Sequence, residues 1–193
     1  MQRAKRLRSQ KGFTLMETMI ALVVLAVGIL GLAAMLGDAL TYTASSQNDF
    51  IAQQKAEQAV EAIFTAKYSG NAASTQINCT GATTWSCIAN PSVTNPAGLF
   101  LTTAQPLTQP GPDGLVGSVN DTNAPLDYIL QPGPDGVMGT ADDVKLTLAN
   151  FTRTITIADV VNEPNLRSIN VVVNYTAGRF ARSYTLTTYI SAY

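Results

Sequence analysis

Glu17 is the residue whose chemistry is hardest to reconcile with its surroundings. It lies near the start of an apolar run that continues to Leu36, and the 18 residues from Met19 to Leu36 carry no charge. A carboxylate in a bilayer core costs about 2.5–3.5 kcal/mol on insertion scales. Glu17 therefore needs a positive partner, and the segment that carries it must hold that partner away from water.

The residue types present exclude several kinds of catalytic site. The chain has no histidine, which removes the commonest general base and the commonest zinc ligand. Ser-His-Asp and Cys-His catalytic arrangements are therefore impossible, and the sequence contains neither a nucleophile elbow nor a phosphate-binding loop. We expect a protein that is not an enzyme.

Charge is distributed unevenly along the chain. The first eleven residues hold five basic residues and no acidic ones, whereas residues 13–193 hold 7 basic and 13 acidic residues. The acidic body has no basic stripe, so nucleic acid is not an expected partner. The basic cluster predicts a cytoplasmic N-terminus, and the apolar run is long enough to span a bilayer, which places everything after Asp38 outside the cytoplasm.

The stretch "KGFTLMETMIAL" resembles the class III leader of type IV prepilins and type II secretion pseudopilins. The resemblance implies that a prepilin peptidase cleaves between Gly12 and Phe13 and that the new terminal Phe13 is N-methylated. A plain single-span anchor or a long signal peptide is the alternative, but neither explains a glycine placed before the apolar run.

Cleavage at this point would supply the partner that Glu17 needs. It would create an ammonium group on Phe13, one helical turn from Glu17 and on the same face. We hypothesise that Glu17 neutralises this amine, in its own chain or in a neighbouring subunit, and the resemblance favours the neighbour. A buried charge that only a second subunit satisfies would make assembly favourable and specific in register.

The sequence divides into four segments with different patterns. Residues 1–12 form the leader, 13–37 an apolar transmembrane or filament-core helix, 38–68 its amphipathic continuation, and 69–193 a periplasmic head. The head is loop-rich over 69–143 and β-sheet over 144–193. The amphipathic stripe that predicts the second helical segment consists of Ala52, Ala56, Ala59, Val60, Ile63 and Phe64.

Alternating apolar residues predict three to five antiparallel strands after Val144. The pattern covers Ile155 and Ile157, then Ile169 to Tyr175, and resumes at Phe180, Tyr184, Leu186 and Ile190 after a turn at 176–179. One face of the sheet is expected to cover the helix stripe. The predicted fold is α+β and pilin-like, with a long N-terminal helix packed on a small antiparallel sheet that carries a loop-rich insertion.

Cys79 and Cys87 are the only cysteines, with seven residues between them. A periplasmic location predicts that they form a disulfide closing a small loop. Trp85 lies inside this loop, either packed on the head or exposed as a contact point.

A thirteen-residue segment occurs twice before the predicted sheet. "QPGPDGLVGSVND" (109–121, the first copy) recurs as "QPGPDGVMGTADD" (131–143, the second copy), with eight identical positions. Carboxylates beside glycine turns can supply the oxygen ligands that calcium prefers, and the candidate ligands are Asp113, Asp121, Asp135, Asp142 and Asp143. Pro-Asp-Gly is also a turn signal by itself, so each copy could instead be a hairpin tip.

These patterns favour a structural subunit. The leading hypothesis is a minor type IV pilin, most similar to the pilus-modification (PilV) type, held in the inner membrane and then incorporated into a pilus to prime assembly or modify adhesion. Its expected partners are other pilins or pseudopilins, which contact its N-terminal helix, and the prepilin peptidase. The alternatives are a minor pseudopilin of a type II secretion system and a tethered calcium- or carbohydrate-binding domain that does not polymerise.

Overall fold

The computed structural model describes residues 12, 14–69, 84–92, 94, 98–177 and 180–193 of the 193-residue chain. The chain divides into two compact units, Met1–Thr43 and Ala44–Tyr193. One long helix, α1 (Leu15–Ser69), begins in the first unit and ends in the second. The end expected near Tyr68 is confirmed to within one residue.

The part of α1 in the first unit is apolar on all sides. Every side chain from Leu15 to Thr43 is exposed, and the most apolar stretch of the helix has a mean hydropathy of 2.8. Within the described residues, α1 is the one helix that is long and apolar enough to cross a membrane. The prediction of a membrane-spanning length of helix is therefore confirmed.

The part of α1 in the second unit is amphipathic, as the spacing of its apolar residues predicts. Of its predicted stripe, Ala52, Ala56, Ala59 and Ile63 are buried and Val60 and Phe64 are half-buried, whereas Glu57 and Glu61 are exposed. Alanine keeps this stripe narrow and favours helix, so other elements can pack close to the backbone. The buried residues are Ile51, Ala52, Ala56, Ala59, Ala62, Ile63 and Ala66.

The head is built around a four-stranded antiparallel sheet. Its strands in chain order are β1 (Gln105–Pro106), β4 (Phe151–Val160), β5 (Glu163–Ala177) and β6 (Phe180–Ser191), and this is also their order across the sheet. A second, two-stranded sheet pairs β2 (Tyr128–Gln131) with β3 (Val144–Thr147). A short helix, α2 (Thr84–Cys87), and a 3₁₀ turn at Val119–Asp121 complete the described elements.

The inward face of the sheet follows the predicted alternation. Ile155, Ile169, Val171 and Val173 are buried and belong to one core cluster with the alanines of α1. Phe151 lies opposite Tyr175 in the β4–β5 register, and the two rings stack with centroids 5.4 Å apart. Complete burial of each Val or Ile side chain contributes about 1.5–3 kcal/mol.

Three features differ from the expectation. β1 and β2 lie before residue 144, so the sheets begin within the segment expected to be loop-rich. β3 pairs with β2 away from the main sheet, and all four of its side chains are exposed. Phe180, expected on the buried face, is 73% exposed because it begins β6 beyond the edge of the core. The turn residues 178 and 179 lie outside the described residues.

Polar contacts fix α1 of the second unit against the sheet. The Tyr175 hydroxyl donates to Asp49 Oδ1 at 2.6 Å, and Arg182 forms a salt bridge with Asp49 at 3.0 Å. Asn48 donates to the carbonyl of Thr176. Burial and the hydrogen bond to Asp49 raise the pKa of Tyr175 to about 12, so its hydroxyl remains a donor at neutral pH.

Asn90 replaces a missing strand at the edge of β4. β1 pairs only with Thr152 and Arg153, and beyond them the side chain of Asn90 donates to the carbonyl of Ile155 and accepts from the N–H of Ile157. The distance is 2.9 Å from Asn90 Nδ2 to the oxygen of Ile155 and 2.7 Å from the nitrogen of Ile157 to Asn90 Oδ1. One amide side chain thus satisfies two backbone groups that would otherwise lack partners in the sheet.

We predict that Asn90→Ala lowers the free energy of unfolding of the head by about 1–3 kcal/mol, because it leaves buried backbone groups unpaired. Denaturant unfolding followed by circular dichroism measures the change. Asn150→Ala is the matched control: this exposed side chain makes one 3.4 Å bond to Thr176. Its loss should cost less than about 0.5 kcal/mol. Equal effects of the two substitutions would contradict the role assigned to Asn90.

Candidate functional site

α1 begins within the segment that carries the processing motif, directly after Thr14. The N–H of Glu17 donates to the carbonyl of Thr14 at 3.1 Å and to its hydroxyl at 3.3 Å, so Thr14 caps the helix. Glu17 lies in the first turn, where the helix dipole favours a negative charge. Gly12 is exposed, and Phe13 lies outside the described residues. The Phe13–Glu17 ion pair stays a prediction.

The first copy of the repeat (109–121) is held by two aspartates that accept backbone hydrogen bonds. Asp113 Oδ1 accepts from the N–H of Leu115 at 3.0 Å, and Asp121 Oδ2 accepts from the N–H of Gly117. Gly117 has a φ of +80°, in the left-handed region that favours glycine. The loop therefore folds back on itself around its own carboxylates.

The second copy (131–143) repeats these two hydrogen bonds and the left-handed glycine. Asp135 Oδ1 accepts from the N–H of Val137 at 2.8 Å, and Asp143 Oδ2 accepts from the N–H of Gly139 at 2.7 Å. Gly139 has a φ of +88°. Gln131 pairs with Val144, so the second copy is the tip of the β2–β3 hairpin. The repeat in sequence is thus a repeat in structure, and the hairpin-tip interpretation is confirmed for this copy.

The carboxylates of the first copy are fully partnered. Asp121 is buried, and its Oδ1 also accepts from the N–H of Gly111 at 2.7 Å. Asp113 Oδ2 accepts from the hydroxyl of Ser118 and from the amide of Asn120. Burial raises the pKa of Asp121, and the hydrogen bonds from Gly111 and Gly117 oppose that rise. Each carboxylate oxygen of Asp113 and Asp121 therefore accepts at least one hydrogen bond from the loop itself.

Basic residues from α1 and β4 surround the first copy. Lys55 of α1 forms a 2.6 Å salt bridge with Asp127, which follows the loop. Arg153 of β4 is buried, which lowers its pKa, and the charges of Asp121 and Asp127 oppose that change. Sequence patterns give no signal for Arg153, because it is a lone charge in an otherwise ordinary strand.

The second copy carries one more negative charge than the first at a single equivalent position. Asp142 stands where the first copy has Asn120. The amide that donates to Asp113 in the first copy is therefore replaced by a further carboxylate in the second. The hydroxyl of Thr140 and the N–H of Asp135 lower the pKa of Asp142. Asp143 Oδ1 is buried and has no hydrogen-bond partner among the described residues.

The five candidate calcium ligands are therefore not brought to one place. Asp113 and Asp121 belong to the saturated first copy, whereas Asp135, Asp142 and Asp143 belong to the hairpin tip. In the part of the chain that the structure describes, no group of three or more Asp, Glu, Cys or His side chains is arranged to hold a metal ion. Calcium binding by these five residues stays a prediction.

The two copies also differ in what covers their apolar residues. Leu115 and Val116 of the first copy are each 2% exposed, and they line a cavity of 170 Å³ with Ala62 and Thr65 of α1. The equivalent residues of the second copy, Val137 and Met138, are 55% and 53% exposed.

The predicted disulfide loop is described only in part. Cys87 is buried in the core, and Cys79 lies outside the described residues, so their bond stays a prediction. Trp85 packs against the core, which is the first of the two placements expected for it, on the head rather than as an exposed contact point. The guanidinium of Arg167 lies 4.3 Å from the centroid of the Trp85 ring and donates to the carbonyl of Ile88.

The fold and the N-terminal segment together define a class of protein: a long N-terminal helix packed on an antiparallel sheet, the α+β arrangement of type IV pilins. Residues 7–33 match the family model of the prokaryotic N-terminal methylation motif. The match supports a type IV pilin-like protein, a prepilin with an apolar anchoring helix, and it indicates a structural subunit. No curated protein and no solved structure matches the chain.

We predict that Leu115→Ala and Val137→Ala, which are equivalent substitutions in the two copies, have unequal effects on stability. Leu115→Ala should cost about 2–5 kcal/mol because it opens a cavity under α1. Val137→Ala should change stability by less than about 0.5 kcal/mol because the side chain is exposed. Thermal and denaturant unfolding of the head measure both, and equal costs would contradict the difference in burial.

Proposed function

We propose that this protein is a minor type IV pilin: it is processed between Gly12 and Phe13, inserted in the inner membrane with its head in the periplasm, and incorporated into a pilus at the cell surface. The observation that carries the proposal is the methylation motif at residues 7–33, within which an apolar helix begins at Leu15 with a carboxylate in its first turn. Other pilins and the prepilin peptidase are its partners. Its work is to prime assembly or to modify adhesion.

The exposed apolar surface of α1 supports a role in assembly. From Leu15 to Thr43 no side chain is covered, although most are apolar. Such a surface needs lipid before assembly and other apolar helices afterwards. The run "ALVVLAVGILGLAAM" on this surface resembles that of minor pilins of the pilus-modification type.

A minor pseudopilin of a type II secretion system would use the same leader and helix. The genes beside this one distinguish the two, because pilus and secretion systems have different assembly proteins. A tethered domain that never polymerises is a third possibility, and it would keep its leader attached.

Replacing Glu17 tests the assembly role. We predict that Glu17→Ala leaves leader cleavage intact, seen as the mobility shift of the mature chain, and reduces the amount of the chain in sheared filaments. Loss of one partner of a buried ion pair costs about 3–5 kcal/mol, enough for a reduction of more than tenfold.

Asp38→Ala is the matched control for that experiment. It removes a carboxylate from the same helix, at an exposed position after the apolar run. Its incorporation should be close to that of the unchanged protein. Normal incorporation of Glu17→Ala would show that Glu17 has no part in assembly.

Calcium binding at the second copy is a further part of the proposal. The buried, unpartnered Oδ1 of Asp143 and the carboxylate of Asp142 in place of an amide support it. Backbone carbonyls of the glycine turns could complete a site for this cation, which takes six to eight oxygens. The ion would supply the positive charge that Arg153 supplies to the first copy.

We predict that calcium raises the melting temperature of the head and protects residues 109–145 from protease. A hundredfold excess of calcium over its dissociation constant would stabilise by about 2.7 kcal/mol. Asp142→Asn gives the second copy the amide of the first, so this variant should fold and lose the response. Identical melting of the unchanged head in calcium and in chelator would disprove the site.

A further inference from the structure

The second copy displays the apolar pair that the first copy buries. Both loops share two aspartate-to-backbone hydrogen bonds and have left-handed glycines at the same positions. The exposure of Val137 and Met138 therefore arises from what lies against the loop and not from the conformation of the loop. The first copy shows which kind of surface such a loop packs on.

That surface is a helix face that combines two small residues with two longer polar side chains. Around Leu115 and Val116 the wall contributed by α1 consists of Ala62 and Thr65 with the polar side chains of Gln58 and Glu61. Small residues let the loop approach the helix backbone closely. A lysine of the same helix, Lys55, meets the acidic residue that follows the loop, Asp127, at 2.6 Å.

The β2–β3 hairpin, which carries the second copy, exposes apolar and acidic side chains. Leu130, Val144 and Leu146 of β2 and β3 are between 44% and 53% exposed. Residues 128–147 contain three aspartates and one lysine. The salt bridges found among the described residues include none of these aspartates.

We infer that the β2–β3 hairpin, with Val137 and Met138 at its tip, docks on a helix of a neighbouring pilin-type subunit. The surface that fits it is a stripe of small residues flanked by Lys or Arg, the apolar stripe for the tip pair and the basic flank for Asp135, which is not part of the proposed calcium site. The inference rests on the proposed function, because it requires that the chain has neighbouring subunits.

A second copy of this chain does not fit the hairpin. The matching face of α1 is already covered by the first copy of its own loop, and Ala62 is buried there. Elsewhere on the same helix the exposed Glu57 would repel an acidic tip. The partner is therefore a different subunit.

Site-specific photocrosslinking in filaments tests the inference. A photoreactive phenylalanine analogue replaces Val137 in one variant and Val161 in a control variant; Val161 is 84% exposed at the β4–β5 turn. We expect the variant at position 137 to form a crosslink several-fold more abundant than the control. The crosslinked peptide should come from a helix of another methylation-motif protein, with small residues flanked by Lys or Arg.

Three results would overturn the inference: a yield at position 137 no higher than at position 161, a crosslink to a second copy of this chain, or a crosslink to a surface that is not helical. The content of the unsubstituted chain in the same filaments separates this failure from failure of the proposed function. If the chain is present and position 137 does not crosslink, only the docking inference is wrong. If the chain is absent from filaments, the proposed function is wrong as well.

Discussion

An apolar helix surface that begins with one carboxylate is the constraint on which the rest of this protein depends. From Leu15 to Thr43 the side chains of α1 are exposed and mostly apolar, so water is the least favourable surrounding for them. Lipid or other helices would cover the surface, but both would deprive Glu17 of solvation. The cap from Thr14 and the helix dipole stabilise this charge only in part. A positive group at the new chain terminus would complete its neutralisation, which is why processing and assembly are linked in this account.

The head meets a different requirement, because its part of α1 has only one apolar side. The sequence predicts this stripe and the strands that cover it, since burial imposes a period of 3.6 residues on a helix and of two on a strand. Alternation alone does not predict that Phe180 is exposed or that Asn90 completes the edge of β4. These features depend on where a strand leaves the core and on contacts between residues 65 or more positions apart.

The repeated loop shows the limit of sequence patterns most clearly. The similarity of residues 109–121 and 131–143 predicts similar loops, and the hydrogen bonds of Asp113 and Asp135 confirm it. Sequence alone does not reveal that one loop lies under α1 and the other at the tip of a hairpin. It does contain the clue to their different chemistry, because Asp142 replaces the amide of Asn120. The first copy packs its apolar pair into the core, whereas the second copy presents apolar and acidic side chains to the outside.

The mass of the mature N-terminus tests the central claim most directly. In cells with an active prepilin peptidase, the purified protein should begin at Phe13 and carry one N-methyl group on it. Such a terminus would place an ammonium group one helical turn from Glu17. A protein that still begins at Met1 in those cells would contradict the account, because Glu17 would then have no new amine to neutralise.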